Sequence, residues 1–191
     1  MKIESQEENG KVYRFMLKEA TSSRANALRR EAINHVKCFA IDTVTFYENS
    51  GAIFDEYIAH RIGLIPIKTP SSGYSEEDEV LLTLEAEGPK TVYSKDLDCK
   101  DKDVKVANDG IPIIKLAPEQ RLRIDCKAIM GTGSRHSKFQ PGIITYEQVD
   151  DSTFNFYVET FGQMPPKEIV NKALSAIKDE LKEVEKEVKK I

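Results

Sequence analysis

Alternation of hydrophobic and polar positions marks the start of the chain as sheet. Between residues 11 and 18, Tyr13, Phe15 and Leu17 alternate with Arg14 and Lys18, the period of two of a half-buried strand. A shorter strand over 2–6 precedes it, and Asn9-Gly10 between the two is a hairpin signal. The period then changes. Thr21, Ser22 or Ser23 can cap a helix in which Ala25, Leu28, Ala32 and Val36 recur at spacings of three and four, a stripe suited to packing on that sheet. The opposite side carries Asn26, Arg29, Arg30 and Ile33, a second stripe that mixes charge, amide and one branched aliphatic. A face meant only for water does not need Ile33, whereas arginine-rich faces with an apolar centre suit protein interfaces.

A third strand is predicted over 40–48, ending in Asn49-Ser50-Gly51, a turn that we take as a domain boundary. Asp55 begins a second helix with Tyr57, Ile58, Ile62 and Ile65 toward one side and with His60 and Arg61 projecting, before Gly63 and Pro66 end it. Residues 68–78, rich in Pro, Ser, Gly and acid, read as an exposed loop. Strands follow at 80–87, 91–94, 113–116 and 121–130, and in the last Leu122, Ile124, Cys126, Ala128 and Met130 alternate with charged residues. A hairpin of 143–149 with 153–161 leads to a terminal helix that starts near Pro165 and Pro166.

That helix holds the longest regular pattern in the chain. Val170, Leu174, Ile177, Leu181, Val184, Val188 and Ile191 recur at alternating steps of four and three, a period of 3.5 residues. Seven aliphatic side chains left in water would forgo on the order of 10 kcal/mol, comparable to the whole stability of a domain. The first half of the helix can pack on its own sheet. A seam that runs to the last residue is expected to meet another chain.

Composition narrows what such docking could serve. The chain has 191 residues, 40% of them hydrophobic, enough for a real core. Its net charge of −4 and pI of about 5.6 lack the basic footprint that supplies most non-specific affinity for nucleic acid, so no direct DNA binding is expected. The opening residues carry no apolar stretch resembling a signal peptide and no run resembles a membrane span, so a cytoplasmic protein with no membrane contact is expected. The three cysteines, Cys38, Cys99 and Cys126, lie far apart, without the close spacing of zinc or iron–sulfur ligand sets. They read as reduced thiols.

Candidate chemistry is sparse. His60 beside Arg61 has no second histidine, cysteine or close carboxylate pair to make a metal site in sequence, which favours a structural or interface role. The charge-dense stretch 96–109 lacks calcium-loop spacing and reads as a solvated loop. The loop 131–138 combines Gly131 and Gly133 with hydroxyls, Arg135, His136 and Lys138 after a strand, as phosphate-binding loops do. Walker spacing is missing, however, and Pro141 prevents a regular helix directly behind Lys138. His136 and Ser137 have no evident orienting acid for a triad. A nucleotide-binding enzyme using the Gly131 to Lys138 loop and a free-standing nucleic-acid-binding protein are the alternatives to docking. No catalytic residue is assigned.

The run from Asn26 through Arg30, the segment Ala40-Ile41-Asp42, and the stretch from Asp55-Glu56-Tyr57-Ile58-Ala59-His60-Arg61 to Ile62-Gly63-Leu64-Ile65-Pro66 resemble the alpha-like assembly subunits of cellular RNA polymerases, in detail those of the archaeal D type. Arg135-His136-Ser137-Lys138-Phe139-Gln140-Pro141 and the long terminal helix match the same family in order and position, so the likeness covers nearly the whole chain. The resemblance implies an α+β fold: a discontinuous α/β dimerisation domain (1–46 and 147–191) interrupted by an inserted β-rich domain (47–146). It implies a non-catalytic scaffold subunit of the DNA-dependent RNA polymerase, a nucleotidyltransferase complex. Such a subunit heterodimerises with a small alpha-like subunit, L in archaea, and nucleates binding of the large catalytic subunits, with small subunits such as N and P as further partners.

On this basis Ile33, Val170, Leu174, Ile177, Leu181, Val184 and Val188 are expected at the heterodimer interface. Asn26, Arg29, Arg30, His60, Arg61, Arg135, His136 and Lys138 are expected to contact large subunits or to fix domain geometry. Some family members carry a cysteine-rich insertion holding an iron–sulfur cluster, and some eukaryotic relatives a zinc-binding loop. Here 141–165 and 68–79 contain no cysteine. No metal, neither an iron–sulfur cluster nor zinc, is therefore expected.

Overall fold

A computed structural model of the protein describes residues 1–190; Ile191, the last position of the predicted seam, lies outside the described residues. The chain divides into two compact units, one built from Met1–Lys37 with Thr132–Ile191 and the other from Cys38–Gly131.

In the first unit, β1 (Lys2–Asn9) and β2 (Val12–Lys18) form the hairpin expected at Asn9-Gly10, where Gly10 takes a φ of 57° that a side chain would disfavour. Both strands are better matched than their sequence suggested, β1 running to Asn9. The antiparallel sheet has the order β1-β2-β10-β9, with β9 (Gly142–Asp150) and β10 (Thr153–Thr160) supplying the second hairpin. Alternation puts Tyr13, Phe15 and Leu17 of β2 and Phe154, Phe156 and Val158 of β10 in the core. Phe15 and Phe156, directly opposite in register, stack with ring centroids 4.8 Å apart.

Two helices, α1 (Ser22–Asn34) and α3 (Pro166–Val188), contact each other; α1 also meets β9, and α3 meets β10 and β2. Thr21 caps α1, its side chain accepting from the Arg24 backbone N–H at 3.4 Å. The buried face of α1 consists of Ala25, Leu28, Glu31 and Ala32. Val36 is buried too, but beyond the helix, which ends at Asn34. Pro166 occupies the first turn of α3, where its missing N–H costs no hydrogen bond.

The second unit centres on the sheet β3-β8-β4-β6, comprising β3 (Cys38–Asn49), β4 (Glu79–Glu87), β6 (Asp98–Cys99) and β8 (Arg121–Gly131). A two-stranded ribbon of β5 (Lys90–Tyr93) and β7 (Pro112–Leu116) completes it with α2 (Asp55–Gly63), which packs on β3 and β7. The apolar face of β8, Leu122, Ile124, Cys126 and Ala128, joins Ile58 and Ile62 of α2, Ile65, Ile67 and Phe39 in one core. The charge-dense stretch 96–109 is not loop throughout, since it contributes β6 to the sheet edge.

The bounds of the second unit differ from the expected 47–146. β3 pairs with β8 from Cys38↔Gly131 to Asn49↔Leu122, so a cut at 47 would divide one continuous ladder. β9 pairs with β10, which places 132–146 in the first unit. The turn read as a boundary lies inside the second unit. There the Asn49 side chain donates to the Ile53 carbonyl at 2.9 Å and to Asp55 at 2.7 Å and accepts from the Gly51 N–H at 3.0 Å, steering the chain into α2.

Candidate docking site

α3 is buried only near its start. Ile169, Val170 and Ala173 close on the sheet and α1, whereas Leu174, Leu181, Val184 and Val188 keep 44%, 64%, 60% and 63% of their surface in solvent. Val170, expected at the interface, therefore belongs mainly to the fold: the four-and-three rhythm continues across the point where the helix leaves its sheet, so periodicity could not locate that point. Ile177 is half-buried between the two regimes.

Two grooves flank this seam. One of about 420 Å³ is lined mainly by Ile3, Leu17, Ala27, Leu28, Val170, Leu174, Ile177 and Leu181. The other, about 720 Å³, has Ile177, Leu181 and Val184 along α3 and Ser23, Asn26, Ala27, Arg30 and Asn34 along α1. They share Ala27, Ile177 and Leu181, so the apolar seam is continuous from one to the other. Exposed aliphatics at the centre of a polar-rimmed depression have the anatomy of a protein interface rather than of a substrate pocket.

The polar stripe of α1 does not form a separate face. Asn26 and Arg30 line the second groove beside the seam. Arg29 is tied within its own helix, donating from Nη2 to the Asn26 side-chain oxygen at 2.9 Å and from Nε at 3.3 Å. This i, i+3 clamp orients the amide and leaves Arg30 as the more exposed cation of the pair. Ile33 is half-buried and is not among the side chains lining either groove.

Arg135 and Lys138 flank a buried ring. The Arg135 guanidinium lies 5.5 Å and the Lys138 ammonium 5.2 Å from the centroid of Phe139, which is fully buried. His136 accepts from the Lys138 N–H through Nδ1 at 3.1 Å and caps a single turn, Ser137–Phe139, that runs on into β9. A phosphate loop presents backbone N–H groups at the start of a helix, and no such helix follows here. At the other end of this segment the Ser134 N–H bonds the Asn34 carbonyl at 3.0 Å. A Cβ on Gly133 would stand 2.1 Å from the Ile33 carbonyl oxygen, so only glycine permits this approach to the end of α1.

His60 and Arg61 sit on α2, and both are exposed. Arg61 also donates to the Pro112 carbonyl, which fastens α2 to β7. Tyr57, expected on the apolar side with Ile58 and Ile62, is 66% exposed: Ile58 and Ile62 alone fill the buried face of this nine-residue helix. Phe54 (74% exposed), Ile53 and Leu64, in the segments flanking the same helix, are further exposed apolar side chains that sequence reading missed. An aromatic beside a buried isoleucine gives no sequence signal of which one points outward.

Among the described residues, the largest displacements from ordinary titration belong to a buried thiol and a tyrosine. Burial pushes the Cys126 thiol up to about 12, the behaviour of an inert core thiol rather than a nucleophile. Tyr74, desolvated and donating to Asp101 at 2.9 Å, is likewise raised to about 12. The class that fold and surface define is a two-unit docking protein.

Comparison with known proteins specifies that class. Residues 40–155 match the family model described as RNA polymerase Rpb3/RpoA insert domain. The chain is 46% identical over 170 residues to the DNA-directed RNA polymerase subunit Rpo3 of Methanocaldococcus jannaschii, covering 89% of this chain and 86% of that one. It is 48% identical over 140 residues to the Rpo3 subunit of Pyrococcus furiosus, covering 70% of this chain and 54% of the relative. The match to the Thermococcus kodakarensis subunit is 50% over 129 residues, or 64% and 50% of the two chains. The chain thus spans about half the length of these last two relatives and most of the first. The chain belongs to the Rpb3/RpoA family of RNA polymerase subunits, on its archaeal Rpo3 branch.

Proposed function

We propose that this chain acts in transcription as the non-catalytic assembly platform of a DNA-directed RNA polymerase, pairing with the small alpha-like subunit L through the seam of α3 and the adjoining face of α1. The observation that carries this reading is the exposure of Leu174, Leu181, Val184 and Val188 on a helix whose first turns bury Pro166, Ile169, Val170 and Ala173. The heterodimer then recruits the large catalytic subunits, with Arg30, His60, Arg135 and the exposed Phe54 and Tyr57 as contacts, and small subunits such as N and P join the same assembly. Placement in the cytoplasm accords with the absence, among the described residues, of a helix long and apolar enough to cross a membrane. The three cysteines hold neither an iron–sulfur cluster nor zinc in this reading, which rests on their wide spacing in sequence; Cys38 and Cys126 are buried and Cys99 is half-buried in β6.

Co-expression with the small alpha-like subunit tests the proposal. A 1:1 complex stable through size exclusion, with its mass confirmed, is the expected result. Recovery of this chain alone, or bound to itself, would overturn it.

A further inference from the structure

Beneath the wider groove lies a cluster that no sequence spacing announces. Glu31 and His35 stand one turn apart at the end of α1, and Glu180 approaches from α3. His35 Nδ1 is 2.8 Å from Glu31 Oε2 and 3.6 Å from Glu180 Oε1, and one ligand atom from each residue falls within 4.8 Å of the others. Glu31 is buried, its side chain 9% exposed, and its second oxygen, Oε1, is fully buried with no hydrogen-bond partner. A buried carboxylate oxygen without a partner is costly, and histidine alone does not relieve it. Glu180 adds a second carboxylate, so the group is short of positive charge.

We propose that Glu31, His35 and Glu180 form a binding site for a divalent transition cation of the zinc type. One imidazole nitrogen with two carboxylates is a donor set that Zn²⁺ accepts, usually as three protein ligands plus water. Tetrahedral bonds of about 2.1 Å need ligand atoms about 3.4 Å apart, so the cation would replace the 2.8 Å contact between His35 and Glu31, opening that pair by about 0.6 Å, while the exposed Glu180 side chain turns in to complete the set. The hard cation Mg²⁺ prefers all-oxygen octahedral surroundings and is not expected to compete. The cation would neutralise the buried carboxylate and tie α3 to α1 beside Leu181 and Val184, fixing the distal part of the seam. This site is independent of cysteine, and it narrows the expectation of a metal-free chain to one without a cysteine-held centre.

The test is calorimetric titration of the full-length chain with ZnCl₂, with MgCl₂ as control, on the unaltered protein and on H35A, E180Q and C99S. The expected result is one equivalent of zinc bound by the unaltered protein and by C99S, weakened at least about tenfold in H35A and E180Q, together with a rise in Tm on zinc addition that both variants lose. Glu180 is 61% exposed, so circular dichroism and the zinc-free Tm of E180Q should stay unchanged, whereas H35A also removes the 2.8 Å partner of the buried Glu31 Oε2 and should lower the zinc-free Tm. Zinc binding that survives H35A, disappears in C99S, or is absent from the unaltered protein would overturn the proposal.

Discussion

Replacing Leu181 separates docking from folding. A fully buried leucine contributes about 1.5–3 kcal/mol, so burying the roughly two thirds of its surface still exposed should yield about 1–2 kcal/mol on association. Leu181→Ala should therefore weaken the heterodimer about five- to thirtyfold, and Leu181→Glu more, because it would leave a carboxylate in an apolar groove. In the isolated chain both changes fall on an exposed position and should alter stability by no more than about 0.5 kcal/mol. Affinity is read by titrating the small alpha-like subunit onto an immobilised chain, and stability by urea denaturation of the chain alone. Two results would refute the reasoning: unchanged affinity in L181E, or a loss of stability in the isolated variant as large as the loss of affinity. The first would place the interface elsewhere; the second would make Leu181 part of the fold.

Further outcomes follow from the geometry. Ile62→Ala, at a fully buried position of α2, should cost about 2–5 kcal/mol in denaturation of the chain, and a cost below about 1 kcal/mol would contradict the packing described. Gly133→Ala forces a Cβ against the Ile33 carbonyl and should destabilise the chain by about 1–3 kcal/mol; a neutral effect would show that the 132–134 segment yields freely. Because burial raises the Cys126 thiol from 9.0 to about 12, the folded state holds that proton after the unfolded state has released it. Its contribution should be intact below pH 9 and decline above it by up to about 1.4 kcal/mol per pH unit, and Cys126→Ala should flatten the decline seen in denaturation at pH 8, 9 and 10.

Sequence made the strands and helices legible where one face is buried and the other is not. The alternation in β2 and β8 and the stripe of Ala25, Leu28 and Ala32 placed those elements on the correct faces. Tyr57 was misplaced because a nine-residue helix gives two turns of pattern, too few to tell an outward aromatic from a core one. Val170 was assigned to an interface because a heptad rhythm reports which residues share a face, not what covers it. The unit bounds were missed for a related reason: strand pairing between Cys38 and Gly131, 93 positions apart, is a long-range fact with no local signature. Glu31 and His35 show an i, i+4 spacing in sequence, but Glu180 reaches them only through the packing of α3 on α1.

The central claim, that the outer seam of α3 docks another polymerase subunit, is tested most directly by amide hydrogen exchange of the chain with and without the small alpha-like subunit. Protection should rise in 174–188 and in the part of α1 around Ala27, while the sheet of the second unit exchanges as before. Unchanged exchange across 174–188 in a complex shown to be intact would contradict the account.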